Sequence, residues 1–218
     1  MIKRLSFLSL ILFLNACQTS TEEKTIPKFE TNQIVGGPCE GCEAIFEYGD
    51  KALRAVDTLP QFQSTTPKLK ITGTVYQING HTPAEGVILY VYHTNRNGLY
   101  EHQPNATGWA KRHGEFRGWI KTGKDGRYTF YTFQPAAYPS GREAAHIHLT
   151  VKEPKKNAYF LDGYIFEADP LLTEVRRNGL ANRGGSGILR LKKTGSLWTA
   201  KRDLILGLNI PNYPIATD

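Results

Sequence analysis

Two histidines stand two residues apart in His146-Ile147-His148, and Leu149, Thr150 and Val151 follow them. The alternation of imidazole and aliphatic side chains fits an extended strand, where successive side chains point to opposite faces. His146 and His148 then share one face, while Ile147 and Leu149 share the other. Two imidazoles so spaced can reach one small ion, although a His pair equally suits a polar, half-buried strand face. Tyr138 lies just upstream in a Pro-rich loop, Gln134-Pro135-Ala136-Ala137-Tyr138-Pro139. A phenol delivered by such a loop can close on the same ion.

The elements that must position these residues read as short strands. Residues 69–76 alternate apolar and polar, which predicts a half-buried strand. Residues 87–92 form a continuous β-prone run suited to a core strand. Further strands are expected at 116–122, 127–133, 145–151 and 159–166. Lys124-Asp125-Gly126 reads as a hairpin turn, and 188–191 with 197–206 as a closing pair around Lys193-Thr194-Gly195. One short helical turn fits within 44–53, and 176–186 reads as loop. His102 and His113 are expected as solvated loop residues, and Trp109 and Trp119 as packing or pocket-wall residues. Frequent Gly, Pro and aromatic side chains with a single Met also suit an all-β chain. The expected fold is an all-β sandwich of about seven to eight strands.

The N-terminus reads as an export leader. Met1-Ile2-Lys3-Arg4 is basic, and residues 5–14 form an apolar run too short to span a bilayer. It ends in Leu14-Asn15-Ala16-Cys17, which resembles a bacterial lipobox. That implies cleavage after residue 16 and a lipid on Cys17, which anchors a protein without making it span the membrane. The expected address is the periplasmic face of an outer membrane, or the cell surface. Residues 18–32, rich in Thr, Glu and Lys, read as a flexible tether. Cys39 and Cys42 could bind a metal, cycle electrons or form a small disulfide loop. No second Cys pair completes a four-ligand zinc site, and outside the cytoplasm a disulfide is favoured. The chain thus divides into a leader (1–16), a segment with the lipidated Cys, tether and CxxC (17–43), and one domain (44–218). The net charge of +7 comes from scattered basic residues without a basic, aromatic stripe, which argues against a nucleic-acid partner.

Four elements together carry a resemblance: Asn97-Gly98-Leu99-Tyr100; Phe116-Arg117-Gly118-Trp119 with Asp125-Gly126-Arg127-Tyr128; Pro135-Ala136-Ala137-Tyr138-Pro139; and Ala145-His146-Ile147-His148. Their order and spacing resemble the intradiol ring-cleavage dioxygenases, the group of catechol and protocatechuate dioxygenases. The resemblance implies a non-haem Fe(III) held by Tyr100, Tyr138, His146 and His148. Anionic phenolate oxygens suit the ferric state. It further implies a catechol-type substrate and O2 as partners, a cis,cis-muconate-type diacid as product, and Tyr138 as the displaced ligand and internal base. Assembly into a homo-oligomer stays open.

Two positions depart from the family pattern. Glu143 replaces the Arg that commonly precedes the first His by three residues, with Arg142 adjacent as a substitute catalytic cation. Gly163 stands where many members carry Gln. These departures raise the alternative of a catalytically silent β-sandwich lipoprotein that binds a ligand or partner and keeps a relic metal site. A zinc site using the two His is a third reading.

Overall fold

The computed structural model describes residues 34–214. The leader, the Cys17 lipidation site and the tether lie outside the described residues. Eleven strands are present: β1 (Val56–Thr58), β2 (Lys68–Tyr76), β3 (Ile88–Tyr92), β4 (Arg117–Lys121), β5 (Arg127–Phe133), β6 (His146–Lys152), β7 (Ala158–Phe166), β8 (Ile188–Leu189), β9 (Lys192–Thr194), β10 (Leu197–Lys201) and β11 (Leu204–Ile205). Seven have five residues or more, and the other four are two- or three-residue pieces. Two short helices, α1 (Gly108–His113) and α2 (Glu174–Asn178), and a 3-10 turn at Cys42–Phe46 complete the described elements. No helix among the described residues is long and apolar enough to cross a membrane.

The strands form two sheets, ordered β1-β5-β2-β10-β9 with β11 also on β2, and β4-β3-β6-β7-β8. The alternation in β2 sends Leu69, Ile71 and Val75 inward, where they meet Tyr128 and Phe130 of β5. Leu89 and Val91 of β3, Ile147 and Leu149 of β6 and Leu161 of β7 face them from the second sheet. Burying an aliphatic side chain of this size contributes roughly 1.5–3 kcal/mol. A one-residue slip of β6 would bury imidazoles in place of Ile147 and Leu149, so the core fixes which face the histidines take. That face is the outer one of the second sheet. It carries its own apolar cluster, where Tyr90 and Trp119 pack under Ala44 and Ile45 of the 3-10 turn.

Three expectations are corrected. The turn at Lys124-Asp125-Gly126 forms, with Gly126 at φ 66°, but it is no hairpin. It carries the chain from β4, in the second sheet, to β5, in the first. The free edge of β4 is taken instead by Asp57 and Arg54: Trp119 N–H donates to the Asp57 carboxylate at 2.8 Å and Lys121 N–H to Arg54 O at 2.9 Å. The closing pair is β9 with β10, whereas residues 188–189 join β7 in the other sheet. Residues before 44 also pack against this fold. Val35 is buried in the main core, its N–H donates to Asn157 Oδ1 at 3.0 Å, and Gly36 N–H donates to Pro211 O at 2.8 Å. Residues 176–178 belong to α2 rather than to a loop.

Polar packing inside this fold predicts a pH dependence. His93 is fully buried between Thr94 O, 2.7 Å from Nδ1, and Thr132 Oγ1, 2.7 Å from Nε2. Burial lowers its pKa from 6.5 to about 4, against a small opposing effect of the Thr94 carbonyl. The unfolded chain therefore takes up a proton near pH 6.5 that the folded chain refuses until about pH 4. Stability is expected to fall as the pH drops through this window, by about 3 kcal/mol for this residue. Urea denaturation at pH 7.5 and 4.5, in the protein and in His93→Gln, measures it. An equal pH dependence in both would assign the loss to other groups.

Candidate metal centre

The two tyrosines arrive on loops that are fastened to each other. Asn95 Oδ1 accepts from Asn97 N–H at 2.8 Å and Leu99 N–H at 3.0 Å, which shapes the turn before Tyr100. Gly98, at φ 76°, lies so near Ala137 that a Cβ there would stand 2.1 Å from Ala137 O. Thr94 Oγ1 donates to Ala136 O at 2.8 Å and Arg96 Nη1 to Gln134 O at 2.6 Å. The loop carrying Tyr138 is thereby laid along the loop carrying Tyr100. Just before β6, Ala145 N–H donates to Asp169 Oδ2 at 2.9 Å. His146 Nδ1 donates to Ala144 O at 2.8 Å, which leaves its Nε2 as a bare lone pair.

These four side chains meet. Tyr100 Oη lies 2.6 Å from Tyr138 Oη and 2.8 Å from His148 Nε2. Tyr138 Oη lies 3.2 Å from His148 Nε2 and 3.4 Å from His146 Nε2, and the two Nε2 atoms are 3.0 Å apart. Donors sharing an ion at about 2.0–2.1 Å stand about 2.8–3.4 Å from one another, which matches every pair here except the two phenol oxygens, hydrogen-bonded at 2.6 Å. Among the described residues no three His, Cys, Asp or Glu converge as a metal set, so any site here depends on the phenols.

The electrostatics of the four groups also suit a cation. Burial lowers the pKa of His148 well below its usual value, with smaller contributions from His146, His113 and His93, so its nitrogen stays neutral. Burial raises the Tyr100 phenol far above its usual value, helped by Tyr138, Tyr92 and Glu143. Burial also raises Tyr138, with the Tyr100 hydrogen bond opposing and Glu143 adding. Two neutral phenols and the neutral His148 imidazole, with the Nε2 of His146 beside them, would gain most from a highly charged ion, which converts phenol to phenolate.

Several residues around the centre were not expected from the sequence. Tyr92 pairs with His148 across β3 and β6, and their rings stack at 4.3 Å and 6°. The other face of Tyr92 stacks on His113 at 3.7 Å and 2°. His113 is thus no solvated loop residue: it is buried at the end of α1 and bonded to Tyr90 Oη at 2.9 Å. His102 is exposed. Cys39 and Cys42 are disulfide-bonded, Cα to Cα 5.6 Å. Their loop brings Glu40 beside Tyr92, Trp109 and Arg112 in a small polar cavity of about 260 Å³ that also reaches both tyrosines and His148.

A larger cavity of about 540 Å³ opens on the other side of the His pair. Ile165, Leu172 and Leu180 form its apolar wall, Gly163 its floor beside the histidines, and Glu143 and Arg176 its charged lining. Arg142, expected as the catalytic cation, does not line it. Its carbonyl instead accepts from Arg176, whose guanidinium occupies the wall. Gly163 and Asp162 together face His148 at a bulge between β6 and β7. Another cavity of similar volume, between Lys51, Glu115 and Trp119, touches none of the four donors.

Residues 47–178 match a family model described as Dioxygenase. A catechol 1,2-dioxygenase of Acinetobacter lwoffii is 31% identical over 120 residues, which cover 48% of this chain and 37% of that protein. The chain therefore matches little more than a third of that relative's length. Among solved structures, a catechol 1,2-dioxygenase from Acinetobacter sp. ADP1, inhibited by bound mercury, is similar with a TM-score of 0.53 and 20% identity, over 77% of this chain and 63% of that one. The dioxygenase domain of a dioxygenase and carbohydrate-binding fusion from Streptomyces sp. SirexAA-E gives 0.51 and 22%, over 71% of this chain and 87% of that one. At these identities the structures establish a shared fold.

Proposed function

The chain belongs to the dioxygenase family whose model spans residues 47–178, and from that membership we propose that it cleaves a catechol-type ring between its two hydroxylated carbons. The reading takes O2 as co-substrate and a non-haem ferric ion held by Tyr100, Tyr138, His146 and His148. The observation that carries it is the meeting of two phenol oxygens and two imidazole nitrogens with contacts of 2.6–3.4 Å. When bound, ferric iron supplies the charge and redox capacity that make a chelated catecholate reactive toward O2.

The protein's own groups then divide the work. The Nε2 of His146, left free by the Nδ1 hydrogen bond, and the Nε2 of His148, kept neutral by burial, offer lone pairs. His148 is held by the Tyr92 ring stacked on it, which fits a ligand that stays in place. Tyr138, on a loop without regular structure, fits a ligand that leaves. Its raised pKa makes the protonated phenol its stable form once it is free of a cation, so Tyr138 Oη can accept a proton from the incoming diol. The apolar wall of Ile165, Leu172 and Leu180 receives the ring. The product is a cis,cis-muconate-type diacid carrying both atoms of O2. The leader and Cys17 support a lipid-anchored protein outside the cytoplasm, on the periplasmic face of an outer membrane or at the cell surface.

Metal analysis with an absorption spectrum tests the reading. We expect stoichiometric iron, a red-brown tyrosinate band that shifts when catechol is added under argon, and O2 uptake when air is admitted. A colourless zinc protein would overturn the metal assignment. Coloured iron protein that consumes no O2 with any catechol would favour the silent-lipoprotein reading.

A further inference from the structure

We infer that the cavity beside the His pair selects catechols bearing a positively charged side chain, with Glu143 as the specificity-determining residue; this rests on the ring-cleaving reading above. The cavity is too large for a bare ring. An enclosed cavity of about 150 Å³ takes a benzene ring, against an open cleft of about 540 Å³ here. The remaining space is where a ring substituent would lie, between the apolar wall and the two charged residues.

Those two residues are not equally available. Arg176 Nη1 donates to Leu171 O at 2.7 Å, and Nη2 donates to Arg142 O. Its guanidinium fastens the ends of two loops. Glu143 is exposed to the cavity and, among the described residues, takes part in no hydrogen bond or ion pair. Its charge stands at the reacting end, since Glu143 lines the same cavity as His146 and His148. An ammonium on the substituent would give Glu143 a charge-assisted partner. A carboxylate there would face the Glu143 carboxylate and could meet only those Arg176 donors that the two carbonyl bonds leave over. Discrimination of this kind comes from repulsion of the wrong charge as much as from attraction of the right one.

Three 4-substituted catechols of similar length test this: 2-aminoethyl, propyl and 2-carboxyethyl. Dissociation constants are measured by titration of the iron-loaded protein under argon, and kcat/KM by O2 uptake in air. The aminoethyl compound is expected to bind about five- to tenfold more tightly than the propyl compound, and the carboxyethyl compound more weakly than either. In Glu143→Gln the aminoethyl-to-propyl ratio should fall to about one, and in Glu143→Arg the order of the two charged compounds should reverse. Turnover of all three at equal efficiency, or a preference unmoved in both variants, overturns the inference and leaves the ring-cleaving reading standing. An ammonium preference in the argon titration without turnover in air upholds the selectivity and overturns that reading. Absence of both binding and turnover overturns the two together.

Discussion

His148→Ala is expected to yield a folded protein that neither retains iron nor consumes O2 with catechol. His148 is bonded or close to all three other donors: Tyr100 at 2.8 Å, Tyr138 at 3.2 Å and His146 at 3.0 Å. Alanine removes one of four donors from the middle of the set. Changes one step away from a metal typically cost about 10–100-fold in affinity or activity, so loss of a ligand should cost at least about 100-fold. Tyr138→Phe separates the roles further. It keeps the ring but removes the oxygen, and should weaken the tyrosinate band while abolishing turnover. His102→Ala, an exposed ring that lines none of the cavities reached by the four donors, is the control and should keep both iron and activity. Circular dichroism checks that the variants fold. Full iron content and O2 uptake in His148→Ala would end the four-donor assignment.

The meeting of the four side chains was legible by two different routes. Alternation fixed the faces of His146 and His148, and the Ile147 and Leu149 side chains do occupy the inter-sheet core. Tyr100 and Tyr138 were legible through the resemblance, not through spacing, since the loops that join them meet only in three dimensions. Tyr92 was hidden for that reason too. Nothing in residues 87–92 reveals that Tyr92 will stand beside His148, because cross-strand register depends on the whole sheet. The turn after β4 was misread because Lys124-Asp125-Gly126 specifies a reversal of direction but not which sheet receives the next strand. Helices α1 and α2, six and five residues long, carry too few turns for a periodic pattern. That Arg176, and not Arg142, lines the cavity has a similar cause. A cation from after the His strand folds back over the cavity, a contact between residues 34 apart.

Gly163→Ala is expected to lower stability and to loosen the metal site in one step. Gly163 sits in β7 at the bulge that faces His148, and a Cβ there would lie 2.6 Å from Ile147 O. The obstacle is backbone, which cannot swing aside as a flexible side chain would. The φ of Gly163 is not in the left-handed region, so the contact alone opposes a side chain. Relief requires β6 to move away from β7 between His146 and His148. Overpacking of this kind costs about 1–3 kcal/mol, which lowers the melting temperature of a domain this size by roughly 2–4 °C per kcal/mol. The same movement displaces His148 from the donors it meets, so iron retention should fall with the melting temperature. Gln at this position adds bulk to the clash, which gives a physical reason for glycine in this chain where many relatives of the resemblance carry Gln. Gly123→Ala, whose Cβ would meet nothing nearer than Asp125 Oδ1 at 3.9 Å, is the matched control. A Gly163→Ala protein with unchanged melting and full iron would show that the bulge opens freely, and that the close approach of β7 to Ile147 is not what holds His148 in place.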